Sequence, residues 1–162
     1  MTVIEVSKDL QVRTLTVSAE FNAPITRVWQ LWEDPRQLER WWGPPTWPAT
    51  FTEHEFIVGG TMKYHMTGPE GDQSRGWWRV TAVDPPHRLE FENGLADETG
   101  DPVKDSPAMN MLVTLNEISG GMTRMVIESS YPTKESMEMF IAMGMEEGIK
   151  AAMSQIDGLL LL

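Results

Sequence analysis

Residues 49–66 of this chain, ATFTEHEFIVGGTMKYHM, gather most of the side chains that could do chemistry: Glu53, Glu55, His54, His65 and Tyr64. The glycines at 59 and 60 predict a two-residue turn between two antiparallel strands. In that register Ile57 faces Met62, Glu55 faces Tyr64 and Glu53 faces Met66. These residues share a face with Phe51, and its apolar content marks it as the inner one. Glu53 and Glu55 are then expected to point into apolar surroundings, with Tyr64 within reach of Glu55. Burial raises the pKa of a carboxylate and suits it to general acid–base work. Glu53, Glu55 and Tyr64 are therefore the candidate catalytic residues, although structural carboxylates arise in the same way and catalysis is the minority reading.

His54 and His65 fall opposite each other on the other face, beside Phe56 and Lys63. Two imidazoles make an incomplete metal site, so surface histidines are expected and no metal. His87 follows Asp84-Pro85-Pro86 and reads as a turn residue. The sequence has no cysteine and no glycine-rich phosphate loop, and Ser129 and Ser130 have no evident His/Asp partner. Thiol, phosphate-loop and triad chemistry find no support, and no cofactor is expected.

The methionines suggest another role. Of twelve in the chain, Met62, Met66, Met109, Met111 and Met125 alternate along strands, and Met137 and Met145 lie on the apolar stripe of the last helix. Methionine fills cores, and it also lines surfaces that accept varied apolar partners. A cavity here would use Trp41, Trp42, Phe51, Met62, Tyr64, Met66, Met111, Met125, Phe140 and Met145 as its ligand-binding wall.

The elements that must position these side chains follow from periodicity. Residues 12–21 alternate Leu15, Val17, Ala19 and Phe21 with polar residues, the signature of a half-buried strand. In the next segment Pro24 suits a first helical position, and Ile25, Val28, Trp29 and Trp32 repeat at helical spacing. Asp34-Pro35 restarts a second short helix carrying Leu38, Trp41 and Trp42. Residues 34–48 hold three tryptophans and four prolines. The prolines start and stop the helices, and the indoles anchor segments too short to be stable alone.

Six strands are then expected over 49–57, 60–67, 74–83, 87–93, 109–118 and 122–131, with a polar loop over 94–108. Thr133 caps a last helix of more than twenty residues with the stripe Met137, Phe140, Ile141, Gly144, Met145, Gly148, Ile149, Ala152 and Ile156. The order is β-αα-β6-α, an α+β single domain over 1–162 with its core at 12–158 and an N-terminal extension at 1–11. The Leu159–Leu162 run reads either as a helix end or as an artificial terminus.

Composition bounds the partners. Thirteen basic and 24 acidic residues give a net charge of −11, a field that repels nucleic acid and anionic membrane. No apolar run approaches the roughly 20 residues needed to span a bilayer. The chain opens without a signal-peptide core, and the lack of cysteine fits a reducing, cytoplasmic setting.

Several motifs carry a resemblance: "FNAPITRVWQLWEDPRQLERWWGPP", Gly59-Gly60 followed by MKYHM, "VDPPHRLEFE", and "GGMTRMVIES" before the last helix. Together they resemble the START-like superfamily (SRPBCC, birch-pollen-allergen-like) over about residues 12–158. Within it the chain is similar to the group named for the activator of the heat-shock-protein-ninety ATPase. It departs where relatives often carry arginine, at Ile57, and where many have Gly-Trp, at Gly148-Ile149. The resemblance implies a helix-grip fold, with a strongly bent antiparallel sheet of about seven strands wrapped around a long C-terminal helix.

It also implies an apolar cavity between sheet and helix, closed at one end by the tryptophan-rich segment. Binding of a small hydrophobic or amphipathic molecule there is the leading functional expectation. The alternatives are a co-chaperone or adaptor acting through its surface on a chaperone, and a cyclase- or hydratase-like enzyme using a cavity carboxylate. A monomer or a homodimer fits either form of binding.

Overall fold

The computed structural model describes residues 2–161. Eight antiparallel strands form a single sheet: β1 (Ile4–Asp9), β2 (Thr14–Phe21), β3 (Ala49–His54), β4 (Thr61–Thr67), β5 (Gln73–Asp84), β6 (Arg88–Leu95), β7 (Met109–Ile118) and β8 (Met122–Ser130). Their spatial order is β1-β2-β8-β7-β6-β5-β4-β3. Two short helices, α1 (Ile25–Glu33) and α2 (Pro35–Leu38), link β2 to β3, and three helical segments follow β8. The fold is α+β and of the helix-grip type. Its eighth strand is the segment expected to be an extension: residues 4–9 pair with β2 from Ile4↔Ala19 to Asp9↔Thr14. The expected core therefore begins too late.

Period-two patterning does what it must in β2. Leu15, Val17, Ala19 and Phe21 are all buried, and the polar residues between them face outward. The same inner face runs through Met125 and Ile127 of β8, Met111 and Val113 of β7, and Leu89 and Phe91 of β6. Asp34 caps α2, accepting from the Arg36 backbone N–H at 2.9 Å. Thr133 caps the first C-terminal helix through a reciprocal capping box with Ser136.

The C-terminal helix is not continuous. It divides into α3 (Lys134–Ala142), α4 (Met145–Met153) and α5 (Ile156–Leu160). The first break is at Gly144, whose φ of +89° lies in the left-handed region. The stripe was readable because the apolar spacing continues across the break; the backbone turn was not. Met137, Phe140, Ala152, Met153, Ile156 and Leu159 still enter the same core as the sheet. Of the terminal leucine run, Leu159 and Leu160 belong to α5, Leu161 is exposed, and Leu162 lies outside the described residues.

The two glycines of this region differ, and a denaturation series can show it. A Cβ at either position meets nothing within 4 Å, so sterics with neighbours are not the issue. Gly144→Ala is expected to cost about 1–2 kcal/mol from the left-handed backbone alone. Gly148→Ala, inside α4, is expected to gain about 1 kcal/mol. Urea midpoints shifting in the same direction for both would contradict the break.

Candidate functional site

Between the sheet and α3–α4 lies a cavity of about 430 Å³. Its walls come from four places. Trp41, Trp42, Pro44 and Trp47 contribute from the segment after α2, and Tyr64 and Met66 from β4. The sheet's middle adds Asn93, Leu95, Met109, Met111 and Ile127, and the C-terminal segments add Phe140, Met143, Gly144, Met145, Gly148 and Ile149. Ser74 and Met143 are exposed and mark the open side, whereas Trp42, Asn93 and Met111 are buried and form the closed side. No Asp, Glu, Lys, Arg or His is among the lining residues.

The tryptophan-rich segment can form a wall because its indoles are fixed from behind. Trp41 donates its Nε1–H to the Leu31 carbonyl at 2.9 Å and packs edge-on against Trp32, ring centroids 4.7 Å apart. Trp42 lies edge-on to Trp78 at 4.8 Å, and Trp78 stacks on Phe91 at 3.8 Å. Gln155 donates to the Gly43 carbonyl at 2.7 Å, tying the junction of α4 and α5 to this segment.

At the closed side, polar groups converge on Tyr64. Its hydroxyl donates to Asn93 Oδ1 at 3.2 Å, and Asn93 Nδ2 points at Met111 Sδ, 3.4 Å away. Burial pushes the Tyr64 phenol up to about 12, against a smaller downward pull from the Trp42, Asn93 and Trp78 side chains beside it. Gly76 faces Tyr64 across the strand pair, and any side chain there would collide with the Tyr64 ring and hydroxyl. This cross-strand gap is what lets Tyr64 reach over β5 to Asn93 on β6.

Seven of the ten residues expected on a ligand wall stand around this space. Trp41, Trp42, Tyr64, Met66, Met111, Phe140 and Met145 line the cavity. Phe51, Met62 and Met125 do not. Phe51 is packed between Tyr64 and Trp78, with centroids at 5.1 and 5.6 Å. Met62 is fully buried opposite Trp78, and Met125 accepts from Trp32 Nε1 at 3.4 Å.

The expected carboxylates lie elsewhere. The β3–β4 pairing runs Phe51↔Tyr64 and then, after a bulge at Thr52, Glu53↔Lys63 and His54↔Met62. The extra residue reverses the alternation, so Glu53 moves to the outer face and His54 to the inner one. Glu53 lies 3.9 Å from the Lys63 ammonium. Glu55 sits past the end of β3 and is exposed, its backbone N–H reaching the Thr61 carbonyl at 3.2 Å. Gly59-Gly60 is the end of a longer connection, in which the Gly60 N–H returns to the Ile57 carbonyl. Neither glutamate reaches the cavity, and Tyr64 stands there without the carboxylate that acid–base work required.

The two histidines are separated by the same shift. His54 Nε2 lies 3.3 Å from the Trp32 carbonyl and its ring stacks on Phe56, whereas His65 pairs with Thr50 on the outer face. Among the described residues no group of three or more His, Cys, Asp or Glu is placed to hold a metal ion. A larger groove, about 920 Å³, runs along β1, β2 and β8. It is lined by polar residues such as Thr16, Ser18, Glu20 and Arg124, the last two joined at 2.7 Å, and by apolar ones such as Val3, Met122, Val126 and Leu160. Charged side chains, Glu5, Glu20, Arg124 and Asp157, are mixed with the apolar ones, unlike the uncharged wall of the space between the sheet and α3–α4.

Residues 22–160 match the family described as Activator of Hsp90 ATPase homolog 1-like protein. The chain belongs to this family. A protein of Arthrobacter aurescens, known from solution NMR, is 51% identical over 96% of this chain and 90% of its own, with a TM-score of 0.91. A crystal structure from Mycobacterium smegmatis is similar at 44% identity, covering 98% of this chain and 97% of its own, with a TM-score of 0.90. A third, from Rhodobacter sphaeroides, shares 25% identity over 99% of both chains at a TM-score of 0.81. No curated protein matches the chain. No helix among the described residues is long and apolar enough to cross a membrane.

Within this member of the family, the sequence reading missed Asn93 as a wall residue. The signal was present, because Leu89, Phe91 and Asn93 alternate on one face of β6 and the last of them is polar. A buried amide on an apolar strand face requires a partner. Trp47 and Leu95 were missed, and Met109 and Ile149, though read as inward-facing, were left off the wall, because nothing local distinguishes a cavity-lining apolar residue from a packed one.

Proposed function

We propose that this protein binds a small apolar or amphipathic molecule in the cavity between the C-terminal helices and the sheet. The observation that carries this reading is the 430 Å³ space itself, walled by tryptophan, methionine and other apolar side chains with no charged residue among them. A space of this size lies within the range of small-molecule sites, which are mostly apolar with a few placed polar groups. Methionines on opposing walls let one cavity close on ligands of different outline. A cytoplasmic setting belongs to the same proposal, and the cysteine-free sequence is compatible with it.

The test is a titration with the neutral fluorophore 1-aminoanthracene, followed by methyl NMR of the methionines. The resonances of Met66, Met111 and Met145 are expected to shift with saturation. Those of Met62 and Met125, buried behind the wall, are expected to move far less. Uniform shifts across all these methyls, or none at saturating probe, would rule the cavity out as the site.

A further inference from the structure

Hydrogen-bond accounting at the closed side gives a more specific result. Trp42, Tyr64 and Asn93 line this corner, with Trp78 packed behind Trp42, and together they bring more N–H and O–H hydrogens than oxygen acceptors. The Nε1–H groups of Trp42 and Trp78 are buried and find no partner among the described residues. The Asn93 amide spends its N–H on a methionine sulfur, a weak acceptor, at 3.4 Å. The Tyr64 hydroxyl makes one long bond, 3.2 Å to Asn93 Oδ1. Buried donors without acceptors cost free energy, and a corner this rich in them is stabilised by any acceptor oxygen that enters.

The charge of that oxygen is constrained as well. No Lys, Arg or His lines the cavity, and the protein carries a net charge of −11. A carboxylate or phosphate placed there would be desolvated without a counter-ion, an expensive arrangement. A neutral carbonyl oxygen meets the need without that cost.

We infer that the ligand of this cavity carries a neutral carbonyl-type acceptor, seated against the Tyr64 hydroxyl and the Asn93 amide, with its apolar body among the methionines. The inference rests on the binding reading above and specifies which end of the molecule goes in first. The open side, marked by Ser74 and Met143, receives the apolar remainder. Tyr64 acts by hydrogen bonding, through the hydroxyl that now makes only the 3.2 Å bond to Asn93.

A matched pair of probes tests this: 2-acetylnaphthalene and 2-ethylnaphthalene, nearly equal in shape and differing in the carbonyl. Tyr64→Phe is expected to weaken the ketone by about three- to ten-fold while changing the hydrocarbon by no more than about two-fold. Equal losses for both probes, or no change in either, would overturn the carbonyl assignment and leave the container reading standing. A wild-type protein that binds neither probe would remove both. A second readout needs no variant. With carbonyl-13C ketone bound to the wild type, the resonance is expected downfield of its position in a hydrocarbon solvent, and a bound carbonyl at the hydrocarbon position would also overturn the assignment.

Discussion

Trp32→Ala is expected to remove about 3–5 kcal/mol of folding stability, the upper range for a truncated core aromatic. Trp32 is fully buried at the meeting point of α1 with the tryptophan-rich segment and the sheet. Its ring centroid lies 4.7 Å from that of Trp41, 5.9 Å from Trp42, 6.0 Å from Trp78 and 6.3 Å from Phe91. Its N–H reaches Met125 Sδ on β8. One side chain thus holds together the helix, the cavity wall and the far side of the sheet. Aromatic contacts of this geometry add to area burial, and the void left by alanine cannot collapse while four other rings stay anchored.

Chemical denaturation followed by far-ultraviolet circular dichroism measures the loss, and Ile57→Ala supplies the control. Ile57 is 64% exposed, so its truncation should stay within about 0.5 kcal/mol. A Trp32→Ala variant as stable as that control would show that the segment after α1 is held by something other than this indole. The loss would take a large share of the roughly 5–15 kcal/mol that separates folded from unfolded domains. A variant too unstable to purify folded agrees with the expected result.

Much of this architecture was legible because burial imposes a period. β2 could be read from Leu15, Val17, Ala19 and Phe21, and α1 from Val28, Trp29 and Trp32, since each set must face one core. Caps at Asp34 and Thr133 were equally readable, being short-range hydrogen bonds written into adjacent residues. The errors share a cause of another kind. The bulge at Thr52 is one residue long and leaves the apolar content of β3 unchanged, yet it moves Glu53 to the other face of the sheet. Strand β1 was missed because Ile4 and Val6 are only half-buried at a sheet edge, where alternation is weak. The break at Gly144 was concealed by an apolar stripe that runs on across it.

The candidate site was therefore legible in its apolar part and not in its polar part. A wall of tryptophan and methionine tolerates small errors of register, because neighbouring apolar residues substitute for one another in the sum. An acid–base pair does not. Glu55 and Tyr64 had to be opposite each other for proton transfer, and the observed partner of Tyr64 is Phe51. The polar group that does reach Tyr64 comes from Asn93, 29 residues away in sequence. Only the order of β4, β5 and β6, together with the missing side chain at Gly76, brings them together.

Gly148→Trp is expected to abolish binding of apolar probes while leaving the fold intact or more stable. The position lines the cavity, sits inside α4 with no left-handed backbone requirement, and offers open space to a Cβ. Replacing an interior helical glycine relieves a cost of up to about 1 kcal/mol, so an occluding side chain can be added here without destroying its support. An indole projecting from α4 into a 430 Å³ space takes up much of the volume a ligand needs. Affinity for 1-aminoanthracene should fall by about a hundred-fold, equivalent to about 2.7 kcal/mol at 25 °C. Fluorescence titration and a melting curve on the same sample measure the two effects separately. Lost binding with a preserved melting temperature places the ligand between the helices and the sheet. Undiminished binding with a preserved melting temperature would move it elsewhere, with the groove along β1, β2 and β8 the next place to look. The substitution leaves the outer face of the sheet unchanged, so a partner bound by that surface alone would still be bound by Gly148→Trp, and the same variant separates a container from an adaptor.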